Sequence, residues 1–225
     1  MAIFMDYKKM YYEEVGKIKD KGILCFTLAA LANADNKFWT SPCSSSGRFH
    51  PLEDNGECGL LRHLIKASGV VENFARKVMF NDYELDMARA AALMHDICKD
   101  GNPWGTFTDY RHGIIASDFL EQFYLENRTV KQIIKDAVRY HMSPWNTSLS
   151  PEKYFLLNAK GGSSKEGVVI TPEDIKAELE EVKRGLMPHS AIETCVQEAD
   201  YWASRSNMSF FPGFSIKLEE RHDSA

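Results

Sequence analysis

The stretch Ala91-Ala92-Leu93-Met94-His95-Asp96-Ile97-Cys98-Lys99 decides the fold. Small and apolar residues lead up to an imidazole and a carboxylate side by side, with an amine three residues further on. Ala88, Ala91 and Ala92 share a helical stripe, and His95 and Asp96 continue it or lie at its edge. A carboxylate on a core-facing stripe needs a partner, because unpaired burial costs several kcal/mol per charged group.

Four other segments carry the same kind of pattern. After Gly59, the apolar positions Leu60, Leu64, Ala67, Val70, Val71, Phe74 and Val78 form one stripe, and His63 falls on it. His112 precedes Ile115, Ala116 and Phe119, while Val130, Ile134, Ala137 and Val138 lead to His141. Ile192, Val196 and Ala199 lead to Asp200, with Ala203 one turn later. A single histidine on such a stripe is more often a hydrogen-bonded core residue than a ligand. Six polar residues on five helices form a different pattern. Only Lys99 lies on the relevant face to neutralise an aspartate. A bound cation compensates both carboxylates and accepts a lone pair from every neutral imidazole, so joint metal ligation explains the set.

The rest of the chain fits an all-α reading. Periodicity predicts helices near 5–19, 21–33, 58–80, 84–99, 112–126, 129–141, 171–186 and 189–206. Thr171 reads as an N-cap, followed by Pro172 at the first helical position and by Glu173 and Asp174 in the first turn. This Lys- and Glu-rich helix reads as a solvated part of a surface insertion at about 143–188. The stretch from Asp35 to Glu57, with Ser-Pro-Cys-Ser-Ser-Ser-Gly at 41–47, has no helical period and reads as a loop. Ser143 to Val169 reads as an extended excursion, with Gly167–Ile170 as a short strand. One domain over 1–225 is expected, with its core at about 38–206 and N-terminal helices over 5–33.

Composition narrows the function. The chain has 225 residues, 44% hydrophobic and 26% charged, with a net charge of −5. That balance suits a globular domain holding a small ligand, with a homo-oligomer left open, and argues against long nucleic acid, which calls for a basic footprint. No apolar run reaches the roughly 18 residues that span a bilayer. Met1–Asp20 lacks the layout of a signal peptide. Cys25, Cys43, Cys58, Cys98 and Cys195 are odd in number with no Cys-x-x-Cys, which suits reduced thiols in a cytoplasm.

The ordered set His63, His95-Asp96, His112, His141, Asp200 resembles the HD-domain metal-dependent phosphohydrolases. Gly59-Leu60-Leu61-Arg62-His63 is similar to the family's Gly-Leu-x-x-His. Ala199-Asp200-Tyr201-Trp202-Ala203-Ser204-Arg205 is similar to its Ala-Asp-x-x-Ala-Ser-Arg. The doublet resembles its His-Asp-x-x-Lys, with Cys98 where many members have Gly. Phe38–Pro51 and Tyr140–Asn146 resemble a small phage and bacterial subgroup that includes enzymes hydrolysing dATP and related purine deoxynucleotides.

That resemblance implies a helical bundle and a site for one or two divalent metals. His63, His95, Asp96 and Asp200 would hold the first, with Asp96 bridging to a second on His112 and His141. Mixed nitrogen and oxygen donors favour Mn, Fe, Co or Zn over Mg. The implied reaction is attack of metal-bound hydroxide on the phosphorus of a nucleotide, in the cytoplasm of a cell or of a phage host. Asp96, Lys99, His112 and His141 are the catalytic candidates. Lys99, Arg48 and Arg62 are candidates for phosphate, and Trp39 and Trp145 for stacking on a base. His50 is a further candidate for facing the site, whereas His189, His222 and the serines at 44–46 read as structural or solvated. The same ligands also suit a phosphodiesterase or 3′-exonuclease, a di-iron oxygenase, or a non-catalytic sensor or interaction module.

Overall fold

The computed structural model describes residues 6–44, 50–146 and 171–205. Every regular element among them is helical, so the fold class is all-α as expected. The N-terminal pair is α1 (Tyr7–Val15) and α2 (Lys21–Ala32). The central helices are α3 (Gly59–Val78), α4 (Asp82–Met94), α5 (His112–Leu120) and α6 (Arg128–Tyr140). A short α7 (Ser143–Asn146) is followed by α8 (Pro172–Leu186) and α9 (Ala191–Ala203). Short 3-10 turns cover Asn36–Trp39 and Leu52–Asn55.

Polar side chains set most of the starts. Asp6, Asp20, Asn127 and Ser190 accept hydrogen bonds from backbone N–H groups in the first turns of α1, α2, α6 and α9. Asn81 with Glu84 and Thr171 with Asp174 form reciprocal capping boxes on α4 and α8. The start of α8 is the one expected from its sequence.

Helix α3 is the centre of the bundle and packs against α1, α4 and α9; α6 packs against α4, α5 and α9. Leu60, Leu61, Leu64 and Ile65 of α3 are fully buried, and each such side chain contributes roughly 1.5–3 kcal/mol. That burial fixes the rotation of α3 and turns His63 inward. Gly59 begins α3 where no side chain fits: a Cβ there would lie 1.8 Å from the carbonyl oxygen of Asp54. The preceding loop is sewn on at this point, with Cys43 N–H donating to Asp54 O, Cys58 N–H to Thr40 O and Leu60 N–H to Ser41 O.

Several helices end earlier than their periodicity predicts, and the difference matters for the site. The helix expected over 84–99 stops at Met94, with His95 as its C-cap. The chain then tightens into i+3 turns, Ile97 N–H to Met94 O and Lys99 N–H to Asp96 O, both 3.0 Å. Likewise α6 stops at Tyr140 with His141 as its C-cap, and α5 reaches only Leu120 where a run to 126 is expected. The apolar stripe persists through these tight turns, so it predicts the facing of the residues but not the helix end. The expected excursion from Ser143 begins instead with α7, whose neighbour is α8. Gly185 of α8 makes room for the Ser143 side chain. The strand expected over Gly167–Ile170 lies outside the described residues.

Candidate metal centre

The six polar residues from five segments converge in the middle of the bundle. His63 lies within α3 and Asp200 within α9, whereas His95 and His141 are C-caps, Asp96 follows directly, and His112 opens α5. All six are buried.

Helix ends explain the orientation of three rings. The Nδ1 atoms of His95, His112 and His141 donate to the carbonyls of Ala92, Asp109 and Val138, at 2.8, 2.5 and 2.7 Å. Each acceptor is three residues back, at a position where a tight turn leaves a carbonyl available. These bonds assign the proton to Nδ1 and leave the Nε2 lone pair facing inward.

Those lone pairs meet other acceptors. His112 Nε2 lies 3.0 Å from His141 Nε2 and 2.8 Å from Asp96 Oδ1. On the other side His63 and His95 bring their Nε2 atoms to 3.3 Å. His95 Nε2 is 3.6 Å from both Asp96 Oδ2 and Asp200 Oδ1, and His63 Nε2 is 3.1 Å from Asp200 Oδ1. Asp96 therefore sits between two imidazole pairs, with Oδ1 toward His112 and His141 and Oδ2 toward His95. Lone pairs facing lone pairs at these separations repel unless a cation lies among them. The donor set fits a divalent metal on this ground, and two such positions can share Asp96.

At His95 burial works against the charge, yet Asp96 and Asp200 raise the pKa, so a metal there has to displace a proton; at the two carboxylates and at His63 and His141 the electrostatics agree with ligation. Burial alone would raise the Asp96 carboxyl, but Lys99, His95 and His112 hold it well below the usual carboxylate range. Burial is likewise outweighed at Asp200, where His63 and His95 hold the carboxyl down. Burial lowers His63, and pushes His141 down to about 4, so both rings stay neutral, as ligands must. Two compact groups of potential ligand atoms result, one of His63, His95 and Asp200 and one of His95, Asp96 and His141.

A family model for the HD domain matches residues 60–204, well over half of the chain. The chain belongs to the HD-domain family. No curated protein and no solved structure matches it. HD domains are generally metal-dependent hydrolases that bind divalent cations, and the donor set of this HD domain fits that role.

The residues proposed around the ligands fare differently. Lys99 is buried, and its ammonium pairs with Asp96 Oδ2. Burial works against its charge, yet Asp96 raises its pKa, so the HD domain keeps a cation beside the bridge position. Trp145 reaches the site through its indole N–H, which donates to Asp200 Oδ2 at 3.0 Å. Its ring stacks on Tyr201 at 5.6 Å, and the Arg205 guanidinium lies 3.9 Å from the Tyr201 ring centre.

Arg62 and Trp39 make their contacts elsewhere. The Arg62 guanidinium donates to the carbonyls of Glu57 and Glu53 and covers the Tyr7 ring, so it ties the loop to α3. Trp39 stacks on Tyr12 of α1 at 5.5 Å. Their expected roles toward phosphate and base gain no support from these positions. Arg48 lies outside the described residues. His50 does face the centre, its ring meeting His63 edge-on at 4.9 Å.

Sequence reasoning missed two contributors. Cys43 lies against His50, with Sγ 3.2 Å from Nδ1. Asp109 supplies the carbonyl that orients His112, and its N–H donates to Lys99 O at 2.9 Å. Neither lies on a periodic stripe. Only Cys43, within the loop before the Gly-Leu-x-x-His segment, carried any signal. Gly113 completes the arrangement: a Cβ there would lie 2.8 Å from Arg139 O and 3.1 Å from His141 Nδ1, so only glycine lets α5 and α6 bring the two histidines together.

Proposed function

We propose that this HD domain hydrolyses a (deoxy)nucleoside phosphate, a purine deoxynucleotide being the favoured substrate, with His63, His95, Asp96 and Asp200 holding one divalent metal and His112 and His141 completing a second position. The observation that carries the reading is Asp96, whose two oxygens face separate imidazole pairs. A bound divalent cation supplies Lewis acidity toward phosphoryl oxygens and lowers the pKa of water.

The chain's own residues supply the rest. Lys99 transfers its hydrogen bond from Asp96 Oδ2 to a phosphoryl oxygen as the anion arrives, keeping its charge where negative charge develops. The Nδ1 bonds of His95, His112 and His141 hold the rings in place during turnover. Trp145 orients Asp200 through its N–H and offers a half-buried ring face, extended by Tyr201, to a nucleobase. Arg205 beside that stack is a second cation for the phosphate chain. The likeness of Phe38–Pro51 and Tyr140–Asn146 to phage dATP hydrolases supports the purine deoxynucleotide substrate.

The test is a nucleotide panel assayed anaerobically with Mn, Co or Zn. Release of phosphate, pyrophosphate or triphosphate from a purine deoxynucleotide is expected. Activity only with iron and dioxygen, oxygen being consumed in step with product, would replace this reading with the oxygenase one.

A further inference from the structure

The six-ligand centre contains only nitrogen and oxygen donors, yet a thiol stands at its edge. Cys43 Sγ, a ring nitrogen of His50 and one of His63 lie within 4.8 Å of one another. Cys43 is fully buried, held by the backbone bond from its N–H to Asp54 O. Thiolate is a soft ligand and favours soft ions such as Cd2+ and Cu+ more strongly than the nitrogen and oxygen donors of the main centre do.

His63 connects the two groups. It is the only one of the four imidazoles whose Nδ1 has no hydrogen-bond partner, although the ring is fully buried. Its Nε2 lies 3.1 Å from Asp200 Oδ1, a distance at which Nε2–H donates to that oxygen. A neutral imidazole has one lone pair. With the proton on Nε2, the lone pair is on Nδ1; with the proton on Nδ1, it faces His95 and Asp200. No carbonyl fixes the choice, as one does for the other three rings.

We propose that Cys43, His50 and His63 form a second capture site for a soft divalent cation such as Cd2+, and that filling it draws the His63 lone pair away from the main centre. On capture, Sγ forms a bond to the cation and the thiol proton leaves to solvent. His63 releases the Nδ1 proton it carries while Nε2 serves the main centre and takes up one on Nε2, against Asp200, so its own proton count is unchanged. The main centre then lacks one imidazole and holds its metal less tightly. The site thus acts as an inhibitory sensor of soft metals.

The experiment adds Cd2+ to the full-length protein loaded with Mn2+, without any nucleotide, so its outcome is separate from that of the hydrolase reading. Thiolate-to-cadmium charge-transfer absorption reports the sulfur bond, and the paramagnetic resonance of free Mn2+ reports release from the centre. In wild type the band should rise together with Mn2+ release. Cys43→Ser should lose the band and need about tenfold more Cd2+ for the same release, the scale of a lost metal ligand or its support. Cys58→Ser should keep the wild-type response. If Cys43→Ser does not fold, Cys43→Ala and His50→Gln carry the same readouts. A band that survives the loss of Cys43, or Mn2+ release at the same Cd2+ concentration in the Cys43 variants, overturns the proposal.

Discussion

The two imidazole pairs beside Asp96 are built to different standards of rigidity. In the His112–His141 pair both Nδ1 atoms are engaged by carbonyls three residues back, and Gly113 lets the two backbones close on one another. In the His63–His95 pair only His95 is fixed in this way, and His63 belongs to the interior of a helix, where every nearby carbonyl is already part of the ladder. The same imidazole side chain can therefore be locked or left adjustable according to whether it sits at a helix end or within one. A helix end supplies an acceptor for the outer nitrogen, which a helix interior cannot do.

The sharpest way to break this comparison is to remove the residue between the pairs. Asp96→Ala should abolish activity and lose nearly all bound metal, whereas His141→Ala should empty the position on its side and spare the other. Elemental analysis of folded protein measures this, and equal metal in wild type and Asp96→Ala would end the bridging assignment.

Acid should act next, through the locked pair. Folded His141 has its pKa pushed down to about 4, below the ordinary value of 6.5. Proton uptake therefore favours the unfolded chain: the stability is intact above about pH 6.5 and is lost as pH falls toward 4. For metal-free protein this single ring contributes on the order of 3 kcal/mol across that window. Denaturant titrations should show a shallower acid loss in His141→Gln than in wild type. Equal slopes would remove His141 as the cause.

Smaller changes sharpen the picture. Trp145→Phe keeps the ring but deletes the N–H that holds Asp200 Oδ2. Metal affinity on the His63 side should fall about 10- to 100-fold, read by competition with a chelator, with unchanged affinity assigning the tryptophan to packing alone. Lys99→Ala should lower catalytic efficiency about tenfold or more, since a charge-assisted contact is worth ~1.5–3 kcal/mol. Unchanged kinetics on the true substrate would confine Lys99 to its pairing with Asp96.

The facing of the candidate ligands was legible because burial is periodic. His63, Asp200 and the residues around them repeat at three and four, and the packing of Leu60, Leu64, Val196 and Ala199 carries that repeat into space. The helix ends at Met94 and Tyr140 were not legible, because a tight turn keeps the apolar stripe while changing the hydrogen-bond ladder. Loop residues were the least legible. Arg62 and Trp39 looked available to a ligand, but a guanidinium and an indole also satisfy carbonyls and rings nearby, and nothing in their spacing distinguishes the two uses. Cys43 shows the converse: its place beside His50 depends on the backbone bond to Asp54, a contact between segments that have no common period.

Arg62 and Lys66 lie one residue before and three residues after His63, and both grip the segment ahead of α3, Arg62 through the carbonyls of Glu53 and Glu57 and Lys66 through the Asp54 carboxylate. Together with the backbone bonds from Cys43, Cys58 and Leu60, they clamp both stems of the loop onto the helix that carries His63. The stems and the helix thus form one unit. A change at Glu53, Asp54 or Glu57 is therefore passed to the helix that carries His63, so these loop stems are as much a part of the framework that aims that ring as α3 itself.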